Sequence, residues 1–292
     1  MNSVQAVSSV GVRAAQKGGV LGRWARAGVL ALAGTGVVGS GTYMGVNQYE
    51  QAQQVRDLTS QINVLNKELN TRITLDQVMA VVKNITPSTV RVEGSQGLGS
   101  GVIIVTPQGR YILTNGHVAY ENAFIRPDGD SVYHIKLYNG TDYSSPIEFD
   151  AAPVILPNGQ RAISLPGEHD LALLQIPPGV QLPPGAGVAL RDLTIDPVRV
   201  GEPVIAVGNP FGERDSVTFG IISHIDRQAS LNTNHHFQTD APINPGNSGG
   251  GLFDMQGRLI GINTWGYRGG DGIAGSIRID EIIKMLNTWG VK

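Results

Sequence analysis

The run Thr239-Asp240-Ala241-Pro242-Ile243-Asn244-Pro245-Gly246-Asn247-Ser248-Gly249-Gly250 sets one serine inside a tight turn flanked by glycines. Glycine lets the backbone bend sharply there, so that successive N–H groups can point at one spot. Acyl transfer needs that arrangement: a nucleophilic hydroxyl beside donors that stabilise the developing oxyanion. In this run Ser248 is the candidate nucleophile. Gly246-Asn247-Ser248 is the candidate oxyanion loop, with the N–H groups of Gly246 and Ser248 as donors. The same run also fits an ordinary serine-bearing turn, so its surroundings have to decide.

Outward from it lie two further segments. Tyr111-Ile112-Leu113-Thr114-Asn115-Gly116-His117-Val118 is an apolar, strand-like run that ends in a histidine. Glu168-His169-Asp170-Leu171-Ala172-Leu173-Leu174-Gln175-Ile176 opens a second apolar run on an aspartate. The order His, Asp, Ser is one of three orders in which unrelated folds assemble the same triad. On these segments the chain resembles the trypsin-like serine proteases, and among them the HtrA/Deg branch. Gly208-Asn209-Pro210-Phe211-Gly212, Val217-Thr218-Phe219-Gly220-Ile221-Ile222-Ser223 and Gly257-Arg258-Leu259-Ile260-Gly261-Ile262-Asn263-Thr264 carry the same resemblance. It covers residues 76 to 288.

The resemblance implies roles. Ser248 attacks the scissile carbonyl, His117 takes and returns the proton, and Asp170 holds His117 in its productive tautomer. Pro242 stands where trypsin has its pocket aspartate, so cleavage after Lys or Arg is not expected. Ile243 matches the apolar residue that narrows the first pocket in the branch, which implies small aliphatic residues before the cut. Asn263, Thr264 and Trp265 would form the edge that pairs with the substrate backbone. Trp265 is larger than the residue usual there and either narrows the pocket or packs as an ordinary aromatic. Asn247 replaces the aspartate that pairs with a new N-terminus in digestive enzymes, so zymogen cleavage is not expected. Control is expected instead from ordering of the loops Gly208–Asp215 and Tyr267–Gly272. Many relatives carry PDZ domains after the protease. Here none is expected, because the sequence reaches Lys292 directly after a closing helix. Relatives are commonly trimers, and a homotrimer is expected here also.

Other histidines attract blander readings. His169 adjoins Asp170 but matches no role in the family and reads as a loop residue. His134 and His224 sit inside strand-like runs. His235 and His236 are neighbours in an extended segment and so face opposite ways. With no nearby carboxylate to complete a ligand set, no metal is expected, and no cofactor.

The bulk composition agrees with this picture. With 39 glycines and 16 prolines, a loop-rich β protein is expected. A net charge of −2 offers no basic excess for phosphate backbones, so nucleic acid is not expected as a partner. There is no cysteine, so the fold depends on packing rather than disulfides.

The front end differs. Residues 1–26 carry Arg13, Lys17, Arg23 and Arg26 and no acid; residues 27–49 carry no charge at all. That stretch is long enough to cross a bilayer of ~30 Å, although glycines replace the leucines of a strong insertion signal. A signal anchor leads, with a cleaved signal peptide and a disordered leader as alternatives. The basic flank then places the N-terminus in the cytoplasm and the protease outside it, on the periplasmic or cell-surface side. Residues 50–75 read as a helical stalk. Val55, Leu58, Ile62, Leu65 and Leu69 form an a/d stripe that is either a short coiled coil or one amphipathic helix.

The expected architecture is therefore all-β. It has two six-stranded antiparallel barrels of chymotrypsin type, at about 76–178 and 188–292, behind a membrane and helical extension and before a C-terminal helix. The expected function is serine endopeptidase action on unfolded or exposed protein segments. The alternative is a catalytically silent peptide-binding chaperone or scaffold on the same fold, since fold alone does not fix function.

Overall fold

The computed structural model describes residues 52–64, 73–120, 122–139, 142–209, 216–228, 234–266 and 272–291. The expected basic segment (1–26) and membrane anchor (27–49) lie outside these residues. No described helix is long and apolar enough to cross a membrane. Residues 52–64 are helical, with Leu58 and Ile62 exposed, and they belong to a unit separate from Thr74–Lys292. Leu65 and Leu69 of the expected stripe lie outside the described residues.

The second unit opens with α1 (Leu75–Ile85). Thr74 caps it: its hydroxyl accepts from the Gln77 N–H, and the Gln77 side chain accepts from the Thr74 N–H. Such a capping box contributes about 1 kcal/mol. Val81 and Ile85 face inward, and the helix gives way at Thr86–Ser88 to one 3₁₀ turn containing Pro87, whose ring cannot continue an α-helix.

Seven strands follow: β1 (Thr89–Glu93), β2 (Leu98–Thr106), β3 (Gly109–Thr114), β4 (Phe124–Ile125), β5 (Ser131–Asn139), β6 (Asp142–Pro153) and β7 (Ala172–Gln175). Six of them close a ring in the order β1-β2-β3-β7-β6-β5, completed by pairing of β1 with β5, with Val90 opposite Leu137. β4 is a two-residue addition on β5. Inward residues alternate along the strands, so Val90, Val92, Ile103, Ile112, Ile135 and Leu137 fill the interior.

The second barrel contains β8 (Pro203–Gly208), β9 (Ser216–Gln228), β10 (His235–Thr239), β11 (Gly251–Phe253), β12 (Leu259–Gly266) and β13 (Ala274–Arg278). Its closed order is β8-β9-β10-β13-β12-β11. Val204, Ile222, Phe237, Leu252 and Ile260 fill it.

A third apolar cluster joins the barrels. Ile104, Leu113 and Leu173 of the first meet Ile205, Phe253 and Leu259 of the second. α1 adds Ile85, and α3 (Ile279–Thr288) adds Ile282, Met285 and Leu286. Burying each such side chain contributes about 1.5–3 kcal/mol, so both helices are bound to the barrels by the cluster that holds the barrels together.

Barrel 2 also buries an ionic knot. Arg191, only 3% exposed, pairs with Glu202, Asp196 and Asp254. Burial works against its charge, but Glu202, Asp196 and Asp254 outweigh it and hold the guanidinium above its usual range.

Candidate active site

The expected acid–base pair lies in the first barrel. β3 ends at Thr114, and the short helix α2 (Gly116–Ala119) begins at once, presenting His117 at its first turn. Asp170 lies just before β7. Its carboxylate accepts from His117 Nδ1 at 2.9 and 3.0 Å and from the His117 backbone N–H at 2.8 Å. The carboxylate is 5% exposed, whereas the imidazole is 37% exposed. One face of the ring is thus fixed by a buried anion while the other edge reaches solvent. A buried carboxylate is tolerated only when its lone pairs are satisfied, and a further donor does so: Thr264 Oγ1 donates to Asp170 Oδ2 at 2.7 Å.

Ser248 comes from the second barrel, on the loop between β10 and β11. The glycines that follow it are a packing requirement. Gly249 has φ +85°, and a Cβ there would overlap the Ser100 carbonyl oxygen and Thr114 Oγ1 of the first barrel. Two contacts then hold the loop against that barrel. Ser100 N–H donates to the Ser248 carbonyl at 2.8 Å, and Ser100 Oγ donates to the Gly246 carbonyl at 2.7 Å. Ser100 Oγ also accepts from Asn209 N–H at 2.8 Å.

The Ser248 hydroxyl donates to the Thr264 carbonyl at 3.5 Å. Among the described residues no hydrogen bond joins it to His117. Thr264 therefore touches both halves of the site, with its hydroxyl on Asp170 and its carbonyl under Ser248.

The three oxyanion-loop residues differ. Asn247 N–H is taken by the Asn244 carbonyl at 2.9 Å. The N–H groups of Gly246 (φ +101°) and Ser248 have no hydrogen-bond partner among the described residues. Asn247 Oδ1 is buried without a partner. An aspartate at that position would bury an uncompensated charge, which costs far more than a neutral amide.

The expected specificity residues are distributed as follows. Ile243 is half-buried against the core of barrel 2, and its carbonyl lies beside Gly266. Asn263 is completely buried. Its N–H and C=O bond Gly250 and Gly249, its amide donates to the Gly251 carbonyl, and its Oδ1 accepts from Ser276. It braces the serine loop. Trp265 packs its indole over Gly275, where a Cβ would collide with the ring, and sits edge-on to His236 at 6.1 Å between centroids. Trp265 Nε1 and His236 Nε2 are both buried without partners. Burial pushes the His236 imidazole below its ordinary value. Of the loops expected to exert control, residues 210–215 and 267–271 lie outside the described residues.

Sequence reasoning missed Thr264 Oγ1 as a carboxylate donor, and Ser100, Asn115 and Asn234 as supports. His169, read as a plain loop residue, is engaged as well: its Nδ1 lies 2.9 Å from Asn234 Oδ1. His235 pairs with Asp226.

Residues 99–262 match the family described as trypsin-like peptidase domain. The periplasmic pH-dependent serine endoprotease DegQ of Escherichia coli is 41% identical over 172 residues, which cover 58% of this chain and 31% of that protein. The periplasmic serine endoprotease DegP of Salmonella typhimurium is 38% identical over 170 residues, covering 57% and 30%. The chain thus spans about a third of the length of these curated relatives. Among solved structures, the HtrA-type protease AlgW with a tripeptide aligns at a TM-score of 0.53 and 34% identity, covering 72% of this chain and 64% of that one.

Proposed function

This chain belongs to the family of trypsin-like peptidase domains, and on that footing we propose that it is a serine endopeptidase of HtrA type. The observation that carries the reading is the His117–Asp170 pair, 2.9 Å apart, linked through Thr264 to Ser248. In this reading Ser248 Oγ attacks the substrate carbonyl and passes its proton to His117 Nε2, and Asp170 stabilises the imidazolium that forms. The unpartnered N–H groups of Gly246 and Ser248 receive the oxyanion, whereas Asn247 shapes the turn without donating. His117 then protonates the leaving amine, and water repeats the sequence to release the acyl group.

The substrate class is unfolded or exposed polypeptide, entering beside Ile243 and β12 with a small aliphatic residue before the cut. The relatives' names place them in the periplasm. An extracytoplasmic site of action accords with that and with the basic flank ahead of residues 27–49. Anchoring by 27–49, a stalk over 50–75 and a homotrimer remain parts of the same proposal.

One observation favours the silent binding module instead: the bond from Ser248 goes to Thr264 and not to His117. Catalytic hydrogen bonds are often long or misaligned before substrate arrives, so the enzyme reading leads. Labelling with a fluorophosphonate probe separates the two. Wild type is expected to label and Ser248→Ala is not. Wild type that stays unlabelled in the presence of casein or peptides would mean a resting-state enzyme awaiting a signal or a silent protease fold, and would put the binding module first.

A further inference from the structure

Asp170 has φ +49°, in the left-handed region that non-glycine residues avoid. Leaving that region would release about 1–2 kcal/mol, and the release would swing the carboxylate away from His117. Something must therefore hold the peptides on either side of it.

Two buried asparagine amides do so. Asn115 Nδ2 donates to the Asp170 carbonyl at 3.0 Å, and Asn234 Nδ2 donates to the His169 carbonyl at 2.6 Å. Asn115 is local, two residues before His117. Asn234 belongs to the other barrel, one residue before β10, and is completely buried. Its Oδ1 accepts from His169 Nδ1 at 2.9 Å, so amide and residue 169 close a two-bond ring across the barrel boundary. Only an amide offers a donor and an acceptor in one fixed fork. The N–H side of the segment is held within the first barrel, by His169 to Ser164 Oγ at 3.1 Å and Asp170 to the Leu165 carbonyl at 3.0 Å.

We propose that Asn234 is a positioning residue for the acid–base pair, acting through the His169 carbonyl to keep Asp170 in its left-handed conformation. The inference rests on the proteolytic reading. The second barrel then supplies more than the nucleophile, because it fixes the conformation of the first barrel's acid. Rotation of the 169–170 peptide is the motion by which Asp170 would relax, and the Asn234 amide blocks it. A misplacement of about 1 Å in a catalytic group can cost 10²-fold in rate.

The test compares wild type with Asn234→Ala and with Asn234→Leu, which keeps the same number and branching of side-chain heavy atoms if the alanine variant fails to fold. Expected for either is a fall in kcat of about tenfold or more with KM within twofold, since the group acts on the reacting pair and not on substrate binding. The acidic limb of the kcat profile should also move to lower pH, because an imidazolium that has lost its aligned carboxylate is less stabilised. His169→Ala, which keeps the backbone carbonyl, should lose less than either. An altered low-field proton resonance of the imidazole–carboxylate bond reports the same change without turnover. A lowered melting temperature with kcat, pH limb and resonance all as in wild type would make Asn234 a simple fastener between barrels and end the proposal. Wild type that fails to label with fluorophosphonate would instead defeat the proteolytic reading, and the resonance alone would then decide whether Asn234 holds Asp170.

Discussion

The two halves of the site are held to different tolerances. Asp170 is braced on all sides, its carboxylate accepting from His117 twice over and from Thr264, its flanking carbonyls held by Asn115 and Asn234. Ser248 is fixed only through its backbone, pinned by Ser100, while its hydroxyl makes one long bond to Thr264. The chemistry explains why. An anion buried at 5% exposure is costly unless its partners are permanent, whereas a neutral hydroxyl can await substrate at little cost. The charged half must be complete in the free protein, and Ser248, the proposed nucleophile, can be engaged later.

The sharpest way to break this contrast is Asp170→Asn. With an amide in place of the carboxylate, His117 loses its tautomer control, and kcat should fall by about 10⁴-fold while the fold is retained. Turnover within tenfold of wild type, measured on casein or a peptide, would mean that the braced half is not the critical one. Thr264→Val is a finer probe, because it removes the hydroxyl on Asp170 but keeps the carbonyl under Ser248. One charge-assisted hydrogen bond is at stake, worth about 1.5–3 kcal/mol, so kcat should drop by at least about tenfold with fluorophosphonate labelling slowed and not abolished. An unchanged rate would show that Asp170 needs no third donor.

The smallest effect lies behind the site. His236 is depressed below its unfolded value by burial, so the unfolded chain binds its proton more readily. Stability from keeping this imidazole neutral is complete above about pH 6.5 and is lost as pH falls toward the folded value. In His236→Gln, melting temperatures at pH 7.5 and pH 5 should differ less than in wild type. An equal difference would assign the acid sensitivity to other groups.

What the sequence revealed follows the same division. His117, Asp170 and Ser248 could be picked out as candidates because glycine turns and apolar runs frame them in a fixed order, and the pairing of His117 with Asp170 accords with that choice. Both barrels are legible from alternating apolar runs, but β6 carries no such signal. Its polar run, interrupted by Pro146, argues against a strand because proline gives the ladder no donor. The brace was not legible. The inward turn of the Thr264 hydroxyl goes with a register shift between Asn263 and Trp265 in β12, and no pattern of residue types announces that. Asn115 and Asn234 are ordinary polar residues in sequence, and only the left-handed backbone of Asp170 gives them meaning. The resemblance gave Asn263 as part of the substrate edge; its hydrogen bonds run to Gly249, Gly250, Gly251 and Ser276, and the first two serve the backbone of the glycines after Ser248.

Thr264 has a consequence for the protein's own manufacture. His117 and Asp170 precede β12 in the chain, whereas the third donor on that aspartate and the seat of Ser248 both belong to Thr264 of β12. On the proposed reading, a chain that ends before β12 has neither the third donor on Asp170 nor the seat of Ser248.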